Sequence, residues 1–141
     1  GPMTEREELL GLAERCEQAS GPSYTIDCEI WDAIYPGDRD GRFAKLTAKG
    51  EPYHGRLGPA DRDGYIQPLR AFSSSIDAAL TLVSEGHASA VGTMAFHDEA
   101  RKPWATIWTP QGEPKYRADA ATPALALCAA SLRALASQEV A

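Results

Sequence analysis

The chain has 141 residues, 43% of them hydrophobic, and sets 20 acidic against 14 basic side chains for a formal charge of -6. That length builds one sizeable core and excludes two, so residues 3–141 read as a single domain. The negative balance repels polyanions and sets nucleic acid aside as a partner, because that affinity comes mostly from neutralised phosphates. No run approaches the ~20 consecutive apolar residues of a membrane span, and a polar, acidic N-terminus is unlike a leader, so a cytoplasmic protein without a membrane partner is expected.

Gly1-Pro2 ahead of Met3 reads as the scar of a removed tag and is left out of fold reasoning. Thr4 followed by Glu7 forms a capping-box pattern, and Leu9, Leu12, Ala13 and Cys16 then recur at helical spacing until Ser20-Gly21-Pro22. A second helix starts after Ser23 or Thr25, with Ile26, Ile30 and Ile34 on one stripe and Trp31 beside it, and ends at Pro36-Gly37. The two helices make a hairpin with a shared apolar face. Residues 37–64 then turn polar and rich in Gly and Pro, which marks a long loop or insertion with one short strand candidate at Phe43 to Ala48.

Ser73, Ser74 and Ser75 offer caps for a short helix that carries Ile76, Ala79, Leu80 and Val83 inward. Three strands follow, at Ala88 to His97, Trp104 to Thr109 and Lys115 to Ala118, and their short connections demand antiparallel pairing. Neither face of the first two is clearly polar, which implies a sheet covered on both sides. Thr122 as cap and Pro123 in the first turn then open a long Ala-rich helix with Leu125, Cys128, Leu132 and Leu135 as its stripe. The fold class expected is α+β: an α/β/α sandwich whose small three-stranded antiparallel sheet has helices on both faces.

Two stretches carry a family resemblance: Pro68 to Val83, which contains Ser-Ile-Asp-Ala-Ala-Leu-Thr-Leu, and Ala120 to Ala134, which contains Ala-Thr-Pro-Ala-Leu-Ala-Leu. Together with the N-terminal helix and the Trp-containing hairpin, they resemble the phage ABA sandwich domain family of small phage and prophage proteins. The chain departs from that pattern in the polar insertion between Pro36 and Gly64. The resemblance implies an α/β/α sandwich and a phage setting in an infected or lysogenic bacterial cell. It supplies caps and core positions and no catalytic residue.

The residues offer little for bond-breaking chemistry. Cys28 sits between Asp27 and Glu29, whose charge disfavours a thiolate, and Cys16 and Cys128 fall in helical segments without Cys-x-x-Cys spacing, so all three read as buried reduced thiols. His54, His87 and His97 lack metal-ligand spacing, and neither metal nor cofactor is expected. The helix, three strands, helix order is shared with double-stranded RNA-binding domains, yet the last helix offers only Arg133 in its body.

Two ligand-binding candidates remain. The start of the short helix could hold an anion on Ser73, Ser74 and Ser75 with Arg70 nearby, against the plainer reading of ordinary caps. The aromatics Trp104, Trp108 and Tyr116, with the loop groups Tyr53, His54 and Arg56, could stack on a planar ligand, against the plainer reading of core or subunit packing. The function expected is a non-catalytic binding protein that sequesters a small anionic, nucleotide-type immune signal to counter host antiviral defence, with a homo-oligomer as an option. The alternative is an accessory protein that binds a host protein through its acidic surface and long loop.

Overall fold

The computed structural model describes residues 4–34, 57–60, 66–68, 70–93 and 102–138. Four helices run over Glu5–Gln18 (α1), Tyr24–Ile34 (α2), Ile76–Leu80 (α3) and Pro123–Gln138 (α4), and five strands over Leu57–Ala60 (β1), Ile66–Pro68 (β2), Ala88–Gly92 (β3), Trp104–Trp108 (β4) and Lys115–Asp119 (β5).

The helix starts follow from side-chain caps. Thr4 Oγ1 accepts from the Glu7 amide at 3.1 Å, the first half of a capping box, and its hydroxyl donates to the Glu7 carboxylate. Ser23 Oγ accepts from the Ile26 amide at 3.2 Å, Ser75 Oγ from Ala78 at 3.2 Å, and Thr122 Oγ1 from Leu125 at 3.1 Å. Each satisfies one donor that a helix N-terminus leaves without an intrahelical partner.

The fold is α+β, with a small three-stranded antiparallel sheet in the order β3-β4-β5. Registers pair Ala90 with Thr106 and Thr106 with Arg117, so the middle strand is β4. Because side chains alternate across a strand, one face carries Ala105, Ile107, Tyr116, Ala118, Ser89 and Val91, and α4 packs along it. The other carries Trp104, Thr106, Trp108, Lys115, Arg117 and Asp119 with Ala88, Ala90 and Gly92.

The middle layer is α4. It packs on β4 and β5 on one side and on α1 and α3 on the others, while α2 packs on α1. Eleven of its 16 residues are buried, among them Ala124, Ala126, Ala129, Ala130, Ala134 and Ala136 between Leu125, Leu127 and Leu132. A helix apolar all round belongs inside a core, and alanine lets both neighbours approach closely. Helices pack against the sheet, as the expected α+β fold requires, and α4 does so on the face of Ala105 and Ile107. On the other face Lys115, Arg117 and Asp119 of β5 are exposed, Trp104 and Trp108 are half-buried and Thr106 is buried. Lys-Tyr-Arg-Ala-Asp alternates cleanly, as a strand with one wet face does.

The expected strand at Phe43 to Ala48 and the end of the first expected strand, residues 94–97, lie outside the described residues. β1, at the end of the insertion, pairs antiparallel with β2 just beyond it through an irregular register, a feature the Gly- and Pro-rich composition did not announce. Two strands this short leave little periodicity to read.

Ser131 is buried in α4, and its hydroxyl has no hydrogen-bond partner among the described residues. Desolvating a hydroxyl without a partner is unfavourable. Ser131→Ala is therefore expected to raise stability by about 1 kcal/mol, whereas Ala130→Leu, which crowds a residue with no exposed surface, lowers it by about 1–3 kcal/mol. Chemical denaturation of the two variants checks both signs.

Candidate functional site

The exposed sheet face holds the most developed arrangement. Trp104 opens β4, and its indole lies across the β3 backbone at its cross-strand partner Gly92. A Cβ on Gly92 would fall 2.5 Å from both Cε2 and Nε1 of that ring. Glycine is what lets the indole come this close to the neighbouring strand. The Arg117 guanidinium sits over the same indole, Cζ 5.1 Å from the ring centroid, and its NH2 approaches Asp119 at 3.6 Å. Trp108 shares this face four residues along, roughly 13 Å away at ~3.3 Å per residue, and pairs across the strands with Lys115. Lys115 and Arg117 against Asp119 leave the face locally cationic on an acidic protein.

Gly112, at φ +87°, makes the tight turn that brings β5 back alongside β4, with its amide bonded to the Thr109 carbonyl at 2.9 Å. Thr109 Oγ1 donates to the Glu113 carbonyl at 2.9 Å and closes the same hairpin. This turn fixes the register that sets Arg117 diagonally from Trp104.

Tyr116 is not part of that arrangement. It pairs with Ile107 on the α4 side, packs against the core, and borders a hollow of about 490 Å³ with His87, Thr109 and Gln138. Tyr53, His54 and Arg56 lie outside the described residues. Arg70 is exposed at the start of the described segment that leads to α3.

The serine triplet is occupied by structural bonds. Ser73 is fully buried: its amide donates to Asp27 Oδ1 at 2.7 Å, its hydroxyl donates to the Ser23 carbonyl at 3.1 Å, and the same oxygen accepts from the Ser23 amide at 2.8 Å. It pins the start of α2 to the turn before α3. Ser74 Oγ donates to the Ala71 carbonyl at 3.4 Å, and Ser75 is the α3 cap. The reading of ordinary caps describes Ser75, while Ser73 and Ser74 hold the turn before it.

The thiols are similarly withdrawn. Burial pushes the Cys16 thiol up to about 12, against the pull of Arg15. Burial also drives Cys128 well above its ordinary value, with Cys16 adding to the shift, and Cys128 Sγ donates to the Phe72 carbonyl at 3.2 Å. Thiolates are the reactive form, so these sulfurs serve packing. Among the described residues no group of three or more His, Cys, Asp or Glu could hold a metal ion, and no helix is long and apolar enough to cross a membrane.

A shallow groove of about 360 Å³ between α1 and α2 is lined by Glu7, Glu8, Glu29 and Asp32 around Arg15, which pairs with Glu29. Four carboxylates line it against one cation. The chain matches no protein-family model, no curated protein and no solved structure.

Sequence reasoning missed Gly92, Lys115 and Arg117 as partners of the tryptophans, and the buried carboxylate of Asp27. The alternation in β5 held the signal for Lys115 and Arg117, because they share parity with Asp119 and oppose Tyr116 and Ala118. Gly92 needed the register.

Asp27 also gives a pH prediction. Burial raises its carboxyl above the ordinary 3.8, against the lowering effect of the Ser73 hydrogen bonds. A raised folded value means that the neutral acid is favoured on folding. This contribution is present below the ordinary carboxylate range and is lost as pH rises through the folded value. Asp27→Asn keeps an oxygen acceptor for the Ser73 amide and carries no charge, so the variant gains stability relative to the parent between about pH 3 and pH 6. Paired urea titrations at the two ends show the gain, and an Asn effect independent of pH contradicts the assignment.

Proposed function

We propose that this is a non-catalytic binding protein that captures a small planar anion, of nucleotide type, on the exposed face of its sheet. The observation that carries the reading is Trp104, packed close on Gly92 with the Arg117 guanidinium over its ring. Stacking on an aromatic face is sequence-tolerant and worth about 1–3 kcal/mol per base, and a guanidinium is the side chain best shaped for a phosphate. Trp108 with Lys115 offers a second position of similar chemistry on the same strand pair. A ligand with two rings would reach both.

Binding proceeds by exchange. The ligand ring replaces the guanidinium over the indole, and Arg117, freed from the ring, takes the phosphate while Thr106 and Ala90 floor the space between. Capture is favoured over catalysis because the candidate nucleophiles are committed: Ser73 donates and accepts within the fold, and the Cys16 and Cys128 thiols are held protonated by burial. The resemblance of the Pro68 to Val83 and Ala120 to Ala134 stretches to phage proteins supports a setting in an infected bacterium. There the captured molecule is a nucleotide signal of host defence.

A second reading has one observation in its favour. The acidic groove of Glu7, Glu8, Glu29 and Asp32 suits a basic segment of a host protein.

Calorimetry against mononucleotides, cyclic dinucleotides and ADP-ribose tests the first reading. Binding is expected for at least one class, with Trp104→Ala and Arg117→Ala each weakening it tenfold or more, about 1.4 kcal/mol. No heat from any class at high micromolar concentration rejects the reading. Salt-sensitive capture of a basic peptide that is lost in Glu29→Lys supports the groove instead.

A further inference from the structure

Among the described residues β3 and β5 are the two edges of the sheet, and they differ in kind. β5 displays exposed Lys115, Arg117 and Asp119, charges that keep an edge strand from pairing with another chain. β3 reads Ala-Ser-Ala-Val-Gly with no charge, and its Ala88, Ser89 and Val91 are exposed. An edge strand without charge, proline or bulk presents its backbone donors and acceptors as a template for another strand.

The strand that suits this template best is itself. Run antiparallel against its own copy with Ala90 on the two-fold axis, Ala88 faces Gly92 and Ser89 faces Val91. No pair brings two large side chains or two like charges together, although each chain carries a net charge of -6. Such a contact is isologous, so it closes at two copies. The distribution of exposed apolar side chains points the same way. Of the four large ones among the described residues, Ile76, Leu80 and Val91 belong to α3 and β3, consecutive elements that both pack on α4.

We infer that β3 pairs antiparallel with β3 of a second copy of this chain, joining two three-stranded sheets into one of six. The exposed faces then become continuous. Ala88, Ala90 and Gly92 of both copies form a strip of small residues between the two β4 strands, which stand about 14 Å apart at ~4.8 Å per strand. The inference concerns assembly alone and stands whether or not the tryptophans bind a nucleotide.

Sedimentation velocity without ligand reads it directly. The parent is expected at twice its 15.1 kDa chain mass by about 100 μM. Ala90→Lys and Ala90→Glu place like charges across the axis and are each expected to weaken the dimer at least tenfold, while an equimolar mixture of the two restores it. Ala90→Cys supplies an independent readout: the three native cysteines are buried, and cross-strand positions at the axis fall within disulfide reach, so mild oxidation yields a covalent dimer. A parent that stays monomeric overturns the inference. So does a dimer that keeps its affinity in Ala90→Lys, or an Ala90→Cys protein that folds by circular dichroism and does not crosslink.

Discussion

The burial of α4 on nearly every side is the constraint from which the rest of the architecture follows. A helix can be wrapped this fully only if its surface is apolar in all directions and its neighbours come close, and the run of alanines between Leu125, Leu127 and Leu132 provides both. With α4 in the middle, the sheet must lie on one flank and α1 on another. Arg133 is where these layers are tied. Its guanidinium pairs with Glu17 of α1 and donates to the Arg117 carbonyl of β5 at 3.4 Å, so one long side chain on the central helix reaches both neighbours. The Glu17 hydrogen bond raises the Arg133 pKa and holds the cation charged, against the burial that opposes it.

Among the described residues, α4 is the helix that packs most extensively on the sheet, and the opposite face carries the tryptophans of β4. On that face β4 can keep two tryptophans half-buried, and the geometry of one of them depends on a single hydrogen atom, because Gly92 is the position where any side chain would strike the indole. The backbone anchor from Arg133 to Arg117 joins the core to this surface: the strand is fixed from below while the Arg117 side chain remains half-exposed above. The net charge of the chain is a poor guide to such a face. The carboxylates gather elsewhere, around the groove between α1 and α2, and the sheet surface is left with two cations against one anion.

Much of this was legible before any coordinates. Local signals sufficed where one residue decides one hydrogen bond: Thr4, Ser23, Ser75 and Thr122 all cap the helices their positions implied. The three strands and their antiparallel order followed from turn residues, and the alanine content of α4 foretold its burial. What stayed hidden depends on register or on distant partners. Ser73 looked like one of three equivalent hydroxyls, and only the approach of α2, fifty residues earlier, singles it out as the pin to Asp27 and Ser23. Helical cover of the sheet was inferred from β3 and β4, whose small residues and tryptophans blur any alternation, and helices do pack against it. β5 alternates plainly, and its charged parity identifies the wet face. Trp104, Trp108 and Tyr116 formed one aromatic set in sequence, yet strand parity sends Tyr116 to the opposite side.

The weakness of the contacts that hold Arg117 is what suits the exposed face to exchange. An exposed cation over an indole is worth about 0.5–1 kcal/mol, and an exposed ion pair such as that with Asp119 about 0–1 kcal/mol. A stacked base offers about 1–3 kcal/mol, and a hydrogen bond to a charged group about 1.5–3 kcal/mol. In the exchange we propose, the comparison favours the incoming molecule, with Arg117 moving from the ring to the anion. A guanidinium buried in a bidentate pair would have been far costlier to release. The same magnitudes explain why the face can persist unfilled: cation and carboxylate shield the indole from water without closing it, and the backbone below is held by the core whether the side chain is on the ring or off it.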